Sequence, residues 1–143
     1  MKRVLLDSNI LIEAFNNKSG DAADKLKTLM NEENTTVFIT PLISYEVLRG
    51  VDWNNEEEYQ KIKNAIAQFS SINIDYKITQ LASTLFRFEK YNRFQMKQQG
   101  KKIDKHNFDL VHFSTAKIHG LEFMSQDSDM GSWGNLYDQL LQQ

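Results

Sequence analysis

Val4-Leu5-Leu6-Asp7-Ser8-Asn9-Ile10-Leu11-Ile12 is the stretch from which the fold is read. Three apolar residues stop at an acid. Ile10, Leu11, Ile12, Ala14 and Phe15 then follow too densely for clean alternation. This predicts a buried strand ending near Asp7 and a short helix after it. Downstream, Ala22, Ala23, Leu26, Leu29 and Met30 share one helical face. Thr36-Val37-Phe38-Ile39 reads as a second strand, ended by Pro41, and Ile43 to Gly50 as a short helix with Gly50 as its stop. Tyr59, Ile62, Ala65, Ile66 and Phe69 form another helical stripe, and Ile72-Asn73-Ile74 is the candidate third strand. Ile78, Leu81, Ala82, Leu85 and Phe88 open a long helix extending toward and past Phe94, and Gly100 to Asn107 reads as a loop. Phe108 to Ile118 is helical, closed by His119-Gly120, before a fourth strand at Glu122-Phe123-Met124-Ser125. Leu136, Tyr137, Leu140 and Leu141 suit a short terminal helix. Strands alternating with helices predict an α/β domain with a parallel sheet.

The 143 residues suit one compact domain over 1–143. With 41% hydrophobic and 25% charged residues, the chain has enough apolar material for a core without staples. The absence of cysteine excludes a disulfide scaffold, a thiol nucleophile and a Cys-ligated metal. One proline and six glycines argue against disorder and against a turn-rich all-β chain. The first apolar run is too short for a signal-peptide core, and no apolar run reaches membrane-spanning length. The expectation is a cytoplasmic protein without membrane association.

In open parallel sheets, ligands bind beyond the carboxyl ends of the strands. Asp7 follows the first strand and Asp127 the fourth, Glu46 lies one turn into the helix after strand two, and Asp109 opens the helix before strand four. Each also has an ordinary structural use. Asp7 can cap a helix, Glu46 can be a solvated helical acid, Asp109 can complement a helix dipole, and Asp127-Ser128-Asp129 can form a turn. Together they suggest metal chemistry. Two carboxylates about 5 Å apart repel by roughly 3 kcal/mol at an effective dielectric near 20, so converging acids call for a cation. An oxygen-only donor set without cysteine or paired histidines favours a hard ion over zinc.

Asp7-Ser8-Asn9, the stretch Ser44-Tyr45-Glu46-Val47-Leu48-Arg49-Gly50, Phe108-Asp109 with Ser114-Thr115-Ala116 and Gly120, and Ser125-Gln126-Asp127-Ser128-Asp129 resemble the four motifs of PIN domains. The match is nearest the VapC-type ribonuclease toxins of bacterial type II toxin–antitoxin pairs and runs from Val4 to about Met130. The resemblance implies a three-layer α/β sandwich with a mostly parallel central sheet of four or five strands flanked by helices. It also implies an Mg2+- or Mn2+-dependent endoribonuclease that leaves 5′-phosphate and 3′-hydroxyl ends. Asp7, Glu46, Asp109 and Asp127 match the catalytic acids, with Asp7 and Asp109 as main metal ligands and Asp129 as the alternative to Asp127. Ser8 and Asn9 match the small polar residues that orient ligands. Ser125 stands where the fourth motif usually has Thr, and the usual last strand is replaced by Gly131-Ser132-Trp133-Gly134. An RNA substrate, a cognate antitoxin and a homodimer are the implied partners.

Between Phe86 and His106 lie Arg87, Lys90, Arg93, Lys97, Lys101, Lys102 and Lys105 against only Glu89 and Asp104, a strong positive surplus in a chain of net charge −2. With Tyr91 and Phe94 nearby, Arg87, Lys90, Arg93 and Lys97 are candidates for RNA phosphate contacts. A solvated helix face and a dock for an acidic antitoxin segment are the other readings. Arg49, three residues after Glu46, can pair with it or reach RNA. His112 suits a structural histidine better than a general base. Asp52, Glu56, Glu57 and Glu58 read as a solvated helix start, and Trp53 and Trp133 as buried or dimer-contact residues. The competing functions are a catalytically degenerate PIN module that binds RNA or protein, an aspartyl-phosphate phosphatase and a receiver domain. Asn9 stands where the phosphatase needs a second Asp, and Ile72-Asn73-Ile74-Asp75 is a poor phosphoacceptor strand for the receiver.

Overall fold

A computed structural model describes residues 1–95, 107–126 and 130–143. Four strands and seven helices occur among them: β1 (Lys2–Leu6), α1 (Ser8–Asn16), α2 (Asp21–Asn31), β2 (Thr35–Ile39), α3 (Pro41–Leu48), α4 (Glu56–Ile66), β3 (Ser70–Ser71), α5 (Tyr76–Gln95), α6 (Asn107–His119), β4 (Glu122–Met124) and α7 (Met130–Leu141). The described residues divide into two compact units. The first comprises Met1–Asn73 and Leu121–Gln126, and the second holds Ile74–Gly120 and the C-terminal helix.

The first unit carries the whole sheet, in the order β3-β2-β1-β4, with every pairing parallel. Val4 pairs with Val37 on one side of β1 and with Glu122 on the other. Val4, Leu5 and Leu6 are buried, as a strand flanked on both edges demands. The chain adds β2 and β3 on one side of β1 and then returns to add β4 on the other. Strand order therefore reverses between β1 and β4, the position at which open α/β sheets form a crevice beyond their carboxyl ends.

Two local departures from the sequence expectation have physical causes. The third strand is Ser70–Ser71, not Ile72-Asn73-Ile74. Its partner β2 ends at Ile39, whose carbonyl accepts the Ile72 N–H at 2.9 Å, and Thr40 then turns the chain into α3. The ladder ends because the partner strand does. Helix α3 starts at Pro41 rather than Ile43, with Thr40 as its cap accepting the Ile43 N–H at 3.1 Å. Proline at the first helical position gives up an N–H that had no intrahelical partner anyway. The helix ends at Leu48 with Arg49 as its C-cap and Gly50 directly after it, the place of a stopping glycine, although the left-handed backbone belongs to Gly120 and not to Gly50.

The second unit is helical. Asp75 accepts the Ile78 N–H at 3.1 Å at the start of α5, a capping use for an acid that a receiver would phosphorylate. Leu85 of α5, Leu110 and Phe113 of α6, and Trp133 and Leu136 of α7 form one core cluster, and Phe113 meets Tyr137 edge to face at 6.0 Å. Gly120 closes α6 with φ of 62°, a left-handed cap that favours glycine. Residues 130–141 are helical where the family's last strand was the alternative. Trp133, Leu136, Tyr137 and Leu140 recur at helical spacing, and that apolar stripe outweighs the two glycines. The acidic run Glu56–Glu58 lies in the first turn of α4, capped by Asn55, as a solvated helix start should. Among the described residues no helix is long and apolar enough to cross a membrane.

Candidate active site

The side chain of Asp7 stands at the carboxyl end of β1, at the strand-order reversal, and the residue is 1% exposed. Its Oδ1 accepts the Ser8 N–H at 2.7 Å and lies 3.4 Å from the Ser8 hydroxyl. Its Oδ2 accepts the Ser125 hydroxyl at 2.7 Å. Asn9 completes the network from the next position: its Nδ2 donates to Ser125 Oγ at 3.2 Å, and its Oδ1 accepts the Gln126 N–H at 3.3 Å. The Asp7 N–H donates to the Met124 carbonyl at 2.9 Å, extending the β1–β4 pairing by one residue.

Helix capping and site formation coincide here. Asp7 is the N-cap of α1, but its bond goes to the adjacent Ser8 N–H rather than deeper into the first turn. The other carboxylate oxygen is turned to β4. A carboxylate stripped of water is costly unless hydrogen-bonded, and two donors fixed in the fold meet that requirement. Each oxygen keeps further acceptor capacity. Burial also strengthens attraction to a cation. Ser8, Ser125 and, through Ser125, Asn9 hydrogen-bond around the carboxylate and hold it in place, so the oxygens of Asp7 itself are the donors a hard divalent ion such as magnesium would take.

Glu46 sits in the same unit, midway along α3, its side chain 11% exposed and 4.0 Å from Arg49 one turn later. The Arg49 guanidinium also lies over the Tyr45 ring, 5.4 Å from its centroid. The ion pair anticipated between Glu46 and Arg49 is present, and the aromatic contact comes in addition.

Asp109 belongs to the second unit, partly buried in the first turn of α6. His112 on the same helix is fully buried, in keeping with a structural role. On α5, Arg87 and Lys90 are exposed and, with Tyr91 and Phe94, line a groove of about 390 Å³. Arg93 differs from them: its Nε is 2.6 Å from Glu89 Oε1, and both side chains are mostly buried. Asp127, Asp129 and Lys97 lie outside the described residues. Among the described residues no three His, Asp or Glu side chains are gathered as a metal site would require.

Ser125 and Tyr45 were not singled out as site residues from the sequence. Ser125 occupies the family's Thr position, and that hydroxyl was the available signal. Tyr45 carried none beyond its place next to Glu46. Trp133 is buried as expected, whereas Trp53 is 96% exposed.

The parallel sheet and the acid at its reversal point define an α/β fold of the PIN type. The family model "PIN domain" matches residues 4–134, and the chain belongs to that family. A comparison with curated proteins finds no significant match. Among solved structures, the fold is similar to a chain of VapBC2 from Rickettsia felis, solved bound to a DNA fragment from its promoter. That pair has 18% identity and a TM-score of 0.67, covering 91% of this chain and 92% of that one. A toxin–antitoxin complex from Klebsiella pneumoniae matches at 23% identity, TM-score 0.60, with 87% of each chain covered. VapC20 of Mycobacterium tuberculosis, described as a sarcin–ricin loop cleaving toxin, matches at 9% identity and TM-score 0.58, covering 92% of this chain and 95% of that one.

Proposed function

We propose that this chain is a divalent-cation-dependent endoribonuclease and the toxin of a toxin–antitoxin pair. The observation that carries the reading is Asp7, a buried carboxylate held by the first residue of α1 and by the residue after β4 at the strand-order reversal of a PIN-family sheet. The solved relatives named as toxins and toxin–antitoxin complexes support it.

In this proposal Asp7 and Asp109 hold the cation, Mg2+ or Mn2+, with Glu46 and Asp127 beside it and Asp129 as the alternative fourth acid. When bound, such a cation supplies a more acidic water and offsets charge on the phosphoryl oxygens and the leaving 3′ oxygen. The chain's own residues do the positioning. Ser8 and Ser125 fix the Asp7 carboxylate in one orientation, and Asn9 fixes Ser125 in turn, as outer partners do for ligating carboxylates. Arg49 offsets the charge of Glu46 in the free protein. The exposed Arg87 and Lys90 offer cations to RNA phosphates, with Arg93 and Lys97 on the same stretch of sequence. Residues 1–143 act as a single domain, paired as a homodimer, held inactive by an antitoxin and working in the cytoplasm where the RNA is.

Asp7→Asn tests the reading. The variant keeps the shape and the Ser8 contact but loses the charge. Magnesium-dependent cleavage of single-stranded RNA should fall by roughly 100-fold or more, a loss of several kcal/mol of electrostatic stabilisation. Circular dichroism should show the fold intact. Full cleavage by a folded Asp7→Asn protein overturns the site. Wild-type protein that binds RNA but yields no product with magnesium or manganese is the non-cleaving module instead.

A further inference from the structure

Tyr91 and Phe94 of α5 are 59% and 80% exposed, and Arg87 and Lys90 stand exposed beside them. The four side chains line one groove of about 390 Å³, all of it within the second unit. Their spacing of three and four residues puts them on one face of the helix. The inward face is a different one: Ile78, Ala82 and Leu85 are buried there, and Phe88 packs against the helical core. Tyr91 and Phe94 take no part in that core. Large aromatic rings left in water give up the burial that usually accounts for their presence. The groove is also positive. Glu89, the acid of this stretch of α5, is tied to Arg93 at 2.6 Å with both side chains mostly buried, so the charges on the groove wall are those of Arg87 and Lys90.

Cations set among open rings match a nucleic-acid strand whose bases are unpaired. Cationic grooves track phosphates, and exposed aromatic faces accept bases of any identity. At about 1.5 Å of rise per residue, the groove runs about 10 Å along α5 from Arg87 to Phe94, the length of about three nucleotides stacked roughly 3.4 Å apart. An acidic peptide would satisfy the two cations but supply no flat partner for the rings. A duplex would offer its phosphates while its base faces stay stacked on one another.

We infer that Tyr91 and Phe94 stack unpaired bases of the RNA substrate while Arg87 and Lys90 hold the adjoining phosphates, which makes the α5 groove the seat of a short single-stranded stretch. The seat rests on the nuclease reading for its RNA. It adds to that reading two rings and a selection: RNA is gripped on α5 where it is unpaired, with little regard to base identity.

The test compares wild-type protein with Tyr91→Leu/Phe94→Leu and with the exchange Tyr91→Phe/Phe94→Tyr. Fluorescence anisotropy with a labelled single-stranded RNA 12-mer, and with the same RNA as a duplex, reads affinity alone when EDTA prevents cleavage. On the single strand the Leu pair should bind roughly 5- to 100-fold more weakly, and the exchange, which keeps both ring faces, within a few-fold of wild type. The salt slope of the Leu pair should stay at the wild-type value, because both phosphate contacts remain. On the duplex the Leu pair and wild type should bind alike. In wild-type protein, photo-crosslinking to a 12-mer carrying 4-thiouridine, mapped by mass spectrometry, should mark Tyr91 or Phe94. Wild-type affinity of the Leu pair for the single strand, an equal loss on the duplex, or crosslinks that spare both rings overturns the seat. Unchanged RNA affinity in a Leu pair that no longer self-associates in sedimentation overturns it as well and assigns the rings to a second copy of the chain. Failure of the nuclease reading shows separately, as full cleavage by Asp7→Asn or as RNA left intact by wild type in magnesium. Wild-type protein that binds no RNA overturns both.

Discussion

The Ser125 hydroxyl donates to Asp7 Oδ2 at 2.7 Å across 118 positions of sequence. This bond joins the ends of β1 and β4 and fixes the carboxylate that the proposed chemistry needs. Ser125→Ala should therefore act twice. Removing one donor from a buried charged group should cost about 1–3 kcal/mol in urea denaturation, and cleavage should fall because Asp7 loses its orientation. Ser125→Thr keeps the hydroxyl and should stay within about 1 kcal/mol of wild type. Equal stability of the Ala and wild-type proteins would show that the bond contributes nothing.

The fourth acid is the next prediction. Asp127 follows Ser125 by two residues and matches the family position, so Asp127→Asn should lose more cleavage than Asp129→Asn at saturating magnesium. A larger loss at Asp129 transfers the role.

A third prediction concerns the exposed cations of α5. Replacing Arg87 and Lys90 together with Gln should weaken RNA binding and flatten its salt dependence by about 0.7 per lost phosphate contact, or roughly 1.4 for the pair. Arg93, tied to Glu89, should contribute less than either. An unchanged slope removes this helix from the RNA path and leaves the acids unaffected.

Gly134 offers a stability test away from the site. It lies inside α7, and a Cβ added there meets nothing within 4 Å. Gly134→Ala should stabilise the protein by about 0.5–1 kcal/mol, by restricting the unfolded chain and improving helix propensity. A lowered denaturation midpoint would show that the glycine answers a packing need.

The readable parts of this sequence were those where several local signals agree. At Asp7 an apolar run, an acid that caps and a dense apolar segment coincide, and β1, the cap and α1 follow. Phe108 to Gly120 was legible because an apolar face and a glycine stop reinforce one another. The parts that were not legible depend on partners remote in sequence. Ile72-Asn73-Ile74 has strand composition, but β2 has no more backbone to offer beyond Ile39. The contact of Ser125 with Asp7 exists only because Leu6 pairs with Met124, a register no local pattern encodes. The terminal helix was legible from Leu136 onward, but Gly131 and Gly134 obscured its first turn, which Trp133 and Leu136 secure by packing. Tyr45 carries no sequence signal beyond its place next to Glu46, and its exposure and its contact with Arg49 emerge only in the fold.

The order of the strands bears on the time course of synthesis. β2 and β3 reach the ribosome exit early, but Ser125, at the end of the β4 strand that flanks β1 at the strand-order reversal, is made 118 positions after Asp7. At about 5–20 residues per second, on the order of ten seconds separates the synthesis of Asp7 from that of Ser125. During that interval Asp7 has no Ser125, and the growing chain lacks Asp109 until α6 is made. The bond that holds the Asp7 carboxylate can therefore form only after β4 has been made and has paired with β1.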